Sequence, residues 1–254
     1  MAVGLSARMG FVSTDGLAAC GILPNALHDR RIYHAGLQVW SRPQTTEIQR
    51  NMKRNEGESA IAFSDRLYKE NRAAGVETLR PATRKALLAL VKEKDYRRIL
   101  EIGTAEGATA VALLAAFPAA SMVTIEADEG RFLTAKENLE QAGVTARVRQ
   151  IFGRAEEVLP ALSQPFDLIL LDGPKGSYAE FYEECKRLLL SDGTLFADDV
   201  SFHGYVTGET PYRRKHGAII RSLRAFLDRA QQDETVTCEV FAVEDGYAVI
   251  TKKR

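Results

Sequence analysis

The sequence contains little cysteine, one tryptophan and no excess charge of either sign. Its 3 cysteines lie far apart, which excludes a disulfide framework and a CxxC metal site and is typical of cytosolic thiols. Because 34 Lys and Arg residues balance 34 Asp and Glu residues, the chain as a whole is not expected to coat nucleic acid. No apolar run approaches about 18 residues, which excludes a membrane-spanning helix. We therefore expect a cytoplasmic protein without a membrane partner.

Residues 1–55 lack the hydrophobic periodicity of a helix or a strand. We interpret them as an N-terminal extension that is either poorly ordered or docked as an arm. Met52 lies just before the first convincing helix, so a mis-assigned start of translation is a further alternative. The regular pattern begins at Ser59, and we expect one domain over residues 56–254.

From Ser59 onward, short apolar segments alternate with segments at helical spacing, which is typical of βαβ units and a parallel sheet. The predicted helices are Ser59–Asn71, Pro81–Lys92, Gly107–Ala116, Glu129–Ala142, Ala155–Leu162, Tyr178–Leu190 and Tyr212–Ala230. The predicted parallel strands are Arg98–Ile102, Met122–Ala127, Val148–Phe152, Phe166–Asp172 and Thr194–Val200. Two further strands, Val236–Val243 and Tyr247–Lys252, flank a hairpin turn. The sequence therefore predicts an α/β fold with a doubly wound, mostly parallel sheet and a C-terminal antiparallel hairpin.

A glycine-rich turn follows the first predicted strand. Gly103 and Gly107 flank Ala105, which stands where the dinucleotide-binding fingerprint GxGxxG has its second glycine. The acidic Glu101 before the turn disfavours a pyrophosphate and suits a cationic or amine-bearing ligand. Glu126 ends the second strand, where a carboxylate commonly binds ribose hydroxyls. Together these residues predict a nucleoside ligand without phosphates near the glycines, although each acid alone is equally typical of a solvated surface.

Three further acids lie at strand ends. Asp172 ends the fourth predicted strand, and Asp198 and Asp199 lie near the end of the fifth. Ligands of open α/β sheets bind at the carboxyl ends of the strands, where these side chains can converge. Carboxylates gathered without cations repel one another, and a hard divalent ion such as Mg²⁺ removes that repulsion. The alternative is that they are loop acids without a ligand.

The runs Leu100–Thr104, Leu171–Lys175 and Ala197–Val200, together with Glu126, resemble the class I S-adenosylmethionine-dependent O-methyltransferases. They are most similar to the metal-dependent branch, which includes catechol and caffeoyl-CoA O-methyltransferases. The resemblance covers Ser59 to the C-terminus. It implies the Rossmann-like fold of that class, with S-adenosylmethionine and Mg²⁺ or another hard divalent cation as cofactors.

The resemblance also assigns roles to residues. Asp172, Asp198 and Asp199 match the metal ligands, although the family usually carries asparagine in place of Asp199, which leaves the preferred metal open. Lys175 matches the catalytic lysine, whose ammonium a nearby metal would disfavour, so that it acts as general base or positions the oxyanion. The expected cofactor-binding residues are Glu101, Gly103, Ala105, Thr109, Glu126, Ala155 and Asp172.

A basic cluster follows the short loop at Phe202 and His203, and in this part the chain looks most similar to bacterial tRNA 5-hydroxyuridine methyltransferases. Such clusters bind phosphates, so we expect tRNA as the substrate, with the product 5-methoxyuridine at the wobble position. A small catechol-like or phenolic acyl substrate, a non-catalytic RNA-binding module and a plain solvated helix face are the alternatives. The sequence leaves open whether the chain forms a homodimer. The cluster consists of Arg213, Arg214, Lys215, Arg221 and Arg224.

Overall fold

The computed structural model describes residues 53–212 and 214–254. The predicted N-terminal extension, residues 1–55, therefore lies almost entirely outside the described residues, and so does Arg213 of the basic cluster. The regular structure begins with a helix that Ser59 caps through its hydroxyl, which accepts a hydrogen bond from the amide of Ala62 at 3.1 Å.

Helices and strands alternate along the described residues. The α-helices are α1 (Ala60–Ala73), α2 (Pro81–Lys94), α3 (Ala108–Ala116), α4 (Glu129–Ala142), α5 (Ala155–Val158), α6 (Tyr178–Leu188) and α7 (Gly217–Gln232). The strands are β1 (Arg98–Ile102), β2 (Ser121–Glu126), β3 (Val148–Phe152), β4 (Phe166–Leu171), β5 (Leu189–Asp198), β6 (Val236–Phe241) and β7 (Tyr247–Lys252). The predicted α/β fold is confirmed.

The strands form one sheet in the order β3-β2-β1-β4-β5-β7-β6. Neighbouring strands from β1 to β5 pair in parallel, and β7 pairs antiparallel with both β5 and β6. Starting from β1, the chain adds β2 and then β3 on one side. It then crosses to the other side of β1, where it adds β4 and β5. The two directions meet between β1 and β4, and ligands of open α/β sheets bind at such a point, outside the carboxyl ends of the strands.

The central strands are buried on both faces because helices cover both sides of the sheet. Ile99 and Leu100 of β1 are both fully buried, and they belong to separate hydrophobic clusters on opposite faces. Phe63 of α1 belongs to the same cluster as Ile99, and Tyr182 of α6 belongs to the same cluster as Leu100. Alternating side chains of one strand thus contribute to two cores, as a parallel sheet between helical layers requires.

Several predicted boundaries are wrong. Strand β5 begins at Leu189, not Thr194, because Leu189 pairs with Phe166 and the turn-like Ser-Asp-Gly segment that follows lies within the strand as an irregularity. As a result α6 ends at Leu188. The last helix, α7, begins at Gly217, because the basic residues before it form a single 3₁₀ turn. Among residues 53–212 and 214–254, no helix is long and apolar enough to cross a membrane.

Candidate active site

A cavity of about 800 Å³ opens at the carboxyl ends of β1, β2 and β4. Residues of these strand ends form its floor, the segment before α2 forms one wall, and the loop after β5 forms another. Of the predicted cofactor-binding residues, Gly103, Ala105, Glu126, Ala155 and Asp172 line this cavity.

The remaining two predicted cofactor residues lie elsewhere. Glu101 is 1% exposed and lies on β1 below the cavity lining, and its Oε2 has no hydrogen-bond partner among the described residues. Burial, with Asp172 and Glu126 nearby, raises the pKa of Glu101 well above its ordinary value. Thr109 lies in the first turn of α3, outside the cavity lining.

The turn between β1 and α3 passes very close to the end of β4. Gly103 has a φ of +93°, and a Cβ built on it would lie 2.3 Å from the carbonyl oxygen of Asp172. Ala105 and Gly107 also have positive φ values, of 47° and 80°. Only glycine fits at position 103, because a side chain there would push β1 and β4 apart at the cavity floor.

Replacing Gly103 with alanine is therefore expected to destabilise the fold by about 2–4 kcal/mol, because left-handed backbone strain and overpacking add to each other. The free energy of unfolding from urea denaturation measures this loss. Gly176 is the matched control, since a Cβ on it would meet no atom within 4 Å. A Gly103→Ala variant as stable as the Gly176→Ala variant would contradict the prediction.

Glu126 holds the glycine-rich turn in place. Its Oε2 accepts a hydrogen bond from the amide of Ala105 at 2.8 Å, and its Oε1 accepts one from the amide of Asp128 at 2.8 Å. The carboxylate thus bridges the two loops that follow β1 and β2. Each of its oxygens retains a lone pair for a ligand in the cavity.

Asp172, Asp198 and Asp199, here called the acid cluster, lie around the ammonium group of Lys175. The Nζ of Lys175 lies 2.9 Å from Oδ1 of Asp172 and 3.6 Å from Oδ2 of Asp199. The hydroxyl of the buried Tyr178 lies 2.8 Å from the carbonyl oxygen of Leu171 and 3.2 Å from that of Asp198. The ends of β4 and β5 are therefore held together, with Asp172 and Asp199 next to the ammonium of Lys175.

Two opposing effects act on the pKa of Lys175. Burial disfavours its ammonium, but the carboxylates of Asp172, Asp199 and Asp198 outweigh burial and raise the pKa above its ordinary value. Its roles as a general base and as a group that positions the oxyanion both stay predictions.

Two oxygens of the acid cluster lack a hydrogen bond. Asp198 is 2% exposed, and its Oδ1 and the buried Oδ1 of Asp199 have no hydrogen-bond partner among the described residues. Burial, together with Asp172 and Asp199, raises the pKa of Asp198 to about 8. Within residues 53–212 and 214–254, no three acidic, histidine or cysteine side chains are arranged as a metal site.

Arg80 is a charged residue of the site that the sequence analysis missed. It lies at the cavity wall just before Pro81, with its Nε 3.6 Å from Oδ1 of Asp199 and its Nη2 3.0 Å from Oδ2 of Asp245. Asp245 belongs to the turn between β6 and β7 and is 165 residues away in sequence. No local signal marks a contact between residues so far apart in the chain.

The basic cluster divides into two parts. Arg224 donates hydrogen bonds to the carbonyl oxygens of Val206 at 3.0 Å and Tyr205 at 3.2 Å, so this side chain holds the loop after β5. Arg214, Lys215 and Arg221 are exposed, as Arg224 is, but they are not used to hold this loop.

An aromatic cluster connects these basic residues to the cavity. Phe202 and His203 line the cavity, and the ring of Tyr205 lies edge-on to Phe202 at 5.8 Å between centroids. His216 stacks on Tyr205 at 5.6 Å and ends the 3₁₀ turn Arg214–His216. Phe202 and His203 have left-handed backbones, with φ values of 46° and 60°. An exposed basic surface thus adjoins a strained aromatic wall of the cavity.

Known proteins are similar to this chain in sequence and in fold. Two relatives are catechol O-methyltransferases, one of Niastella koreensis, 31% identical over 134 residues, and one of Mycobacterium tuberculosis, 33% identical over 128 residues. These alignments cover 51% and 50% of this chain, and they span 61% and 58% of the two relatives.

A solved structure supports the same assignment. The O-methyltransferase TomG from Streptomyces achromogenes, in complex with S-adenosylmethionine, superimposes with a TM-score of 0.67 at 25% identity, over 76% of this chain and 90% of TomG. The sequence profile of the O-methyltransferase family matches residues 67–253, which include the glycine-rich turn, the acid cluster and Lys175. The chain thus belongs to the family of S-adenosylmethionine-dependent O-methyltransferases.

Proposed function

We propose that the protein transfers a methyl group from S-adenosylmethionine to a ring hydroxyl with the help of a divalent metal ion, and that its acceptor is 5-hydroxyuridine of tRNA. The observation that carries the proposal is the acid cluster around Lys175 at the floor of the cavity, next to the glycine-rich turn. The cofactor would be held by the turn at Gly103 and Ala105 and by Glu126, whose remaining lone pairs suit ribose hydroxyls.

The donor atoms of the acid cluster suit a divalent ion, although as they are placed no three side chains within residues 53–212 and 214–254 form a metal site. Four carboxyl groups (the acid cluster and Asp245) lie near two basic groups, Lys175 and Arg80, so the acidic groups outnumber the basic ones by two. Carboxylate oxygens are hard ligands, and two of those in the acid cluster lack a hydrogen bond. Asp172, Asp198 and Asp199 would hold the ion, which lowers the pKa of a coordinated hydroxyl.

The protein's own residues then orient and stabilise the acceptor. A sulfonium methyl group is already activated, so the protein must mainly place an oxygen nucleophile in line with it. The side chain of Lys175 can hold the acceptor oxygen as an oxyanion, since it lines the cavity floor and is 13% exposed. Phe202 and His203 offer ring faces against which a planar acceptor can stack.

The exposed basic residues favour tRNA as the acceptor. Arg214 and Lys215 lie on the turn that ends at His216, and the aromatic cluster leads from there to the cavity. An extruded base could stack on this wall while the adjoining phosphates contact the basic side chains. A small phenol needs only the cavity and none of this outer surface.

A catechol-like acceptor is the second candidate, and the two catechol O-methyltransferases among the relatives favour it. The two acceptors differ in their use of the basic surface, so one variant separates them. We expect Arg214→Ala combined with Lys215→Ala to raise the KM for tRNA and to reduce the slope of log KM against log salt by about 1 per lost phosphate contact. The KM for a catechol should not change.

The measurement is the initial rate of methyl transfer to each acceptor between low and high salt. Lys92→Ala combined with Lys94→Ala is the matched control, because it removes the same charge from the last turn of α2. An unchanged KM and salt slope for tRNA in the Arg214 and Lys215 variant would contradict the tRNA proposal, and efficient transfer to catechol would then favour the second candidate.

A further inference from the structure

Arg80 connects the acid cluster to the C-terminal hairpin. Its guanidinium lies between Asp199 and Asp245, at 3.6 Å and 3.0 Å. Asp245 is 6% exposed, and its carboxylate also accepts a hydrogen bond from the backbone amide of His203. The hairpin turn therefore holds Arg80 and the loop after β5 at the same time.

The start of α2 is fixed to the same turn. Glu244 accepts hydrogen bonds from the amides of Ala82 at 3.1 Å and Thr83 at 3.2 Å, which caps the helix that begins directly after Arg80. The amide of Ser201 donates to the carbonyl oxygen of Asp245 at 2.9 Å. These contacts fix the backbone next to Arg80, at the start of α2, and the backbone next to Asp199, at Ser201.

The pair leaves the carboxylate of Asp199 available. The Nε of Arg80 and the Oδ1 of Asp199 are both buried, and neither has a hydrogen-bond partner among the described residues. At 3.6 Å the guanidinium offsets the charge of Asp199 without using its oxygen in a hydrogen bond. Lys175 lies equally far from the other oxygen of Asp199, 3.6 Å from Oδ2, but its ammonium is also the partner of Asp172 at 2.9 Å and is shared between two carboxylates.

We infer that Arg80 is a positioning residue that offsets the charge of Asp199 and thereby sets the affinity of the acid cluster for a divalent ion. The inference rests on the proposed metal dependence. Arg80 then supplies the part of the charge compensation of Asp199 that Lys175, shared with Asp172, does not supply. Removing either partner alone should shift the affinity, in opposite directions, and removing both should restore it.

The test is Mn²⁺ binding to the full chain, measured by isothermal titration calorimetry without cofactor or acceptor. We expect Arg80→Gln to tighten Mn²⁺ binding and Asp199→Asn to weaken it, each by about tenfold, the lower end of the effects of groups around metal ligands. The double variant should bind Mn²⁺ close to wild type, and Arg80→Lys, which keeps the charge, should do the same.

Two controls separate charge from folding. Arg84→Gln removes a charge from the first turn of α2, close in sequence to Arg80 but paired with Asp65 at 2.9 Å, and should leave Mn²⁺ affinity unchanged. Thermal unfolding of every variant shows whether the fold persists. Two results would overturn the inference but not the metal proposal. In the first, wild type binds Mn²⁺ and Arg80→Gln binds it with the same affinity. In the second, the double variant binds Mn²⁺ no more tightly than Asp199→Asn. Wild type that binds no Mn²⁺ would overturn the metal proposal and the inference with it.

Discussion

Replacing Lys175 with alanine is expected to lower the turnover number by about 10²–10⁴-fold, the range for a positioned group that acts on the reacting oxygen. Its Nζ lies at the cavity floor, 2.9 Å from Oδ1 of Asp172, and the nearby carboxylates raise its pKa. A charged group there stabilises the acceptor oxyanion in the transition state more than the neutral hydroxyl in the ground state. Cofactor binding should persist, because Glu126 and the glycine-rich turn remain.

Steady-state rates and calorimetric binding of S-adenosylmethionine measure these two effects separately. Lys175→Arg distinguishes the roles of the lysine, because it keeps a positive charge but cannot act as a base at neutral pH. Partial activity of Lys175→Arg indicates an electrostatic role. Lys186→Ala is the matched control on α6, since Lys186 binds Asp233 at 2.6 Å outside the cavity and should affect stability only. Wild-type turnover of Lys175→Ala would remove the lysine from the mechanism.

Removal of divalent ions with a chelator is expected to lower turnover by a factor of about 10²–10⁴, because a metal ion contributes several kcal/mol of charge stabilisation in the transition state. Added Mg²⁺ or Mn²⁺ should restore the rate. Asp198→Asn should have a loss of similar size that added metal does not repair, since Asp198 carries one of the two oxygens without a hydrogen bond.

The matched control for Asp198→Asn is Asp167→Asn. Asp167 lies at the start of β4, at the opposite edge of the sheet, where it accepts hydrogen bonds from the amides of Arg97 and Arg98. Its replacement should reduce stability and leave the metal dependence unchanged. Equal rates of wild type with and without the chelator would contradict a metal-dependent reaction.

The sheet and the position of the site could be predicted from the sequence because their causes are local. Apolar strands alternating with helices specify a parallel sheet, and the carboxyl ends of parallel strands meet at one edge. Asp172 follows β4 directly and Asp198 ends β5, so their meeting follows from the topology alone. The spacing of Asp172 and Lys175 likewise brings the two groups into contact.

Features that depend on distant contacts could not be predicted. Arg80 and Asp245 meet only because the hairpin turn packs against the start of α2. The charge of Lys175 depends on carboxylates from two strands, and a position in the sequence does not report how many of them surround it. The start of β5 at Leu189 was hidden by a Ser-Asp-Gly segment that is typical of a turn but lies within the strand.

Nucleoside mass spectrometry distinguishes the proposed tRNA acceptor from catechol in one experiment. The full chain is incubated with S-adenosylmethionine, Mg²⁺ and tRNA that contains 5-hydroxyuridine, with and without EDTA, and catechol is supplied in a parallel reaction. We expect 5-methoxyuridine in the tRNA in the presence of Mg²⁺ and its loss with EDTA. Methylated catechol with unmodified tRNA would contradict the proposed acceptor. Methylation that EDTA does not reduce would contradict the role of the acid cluster as a metal site.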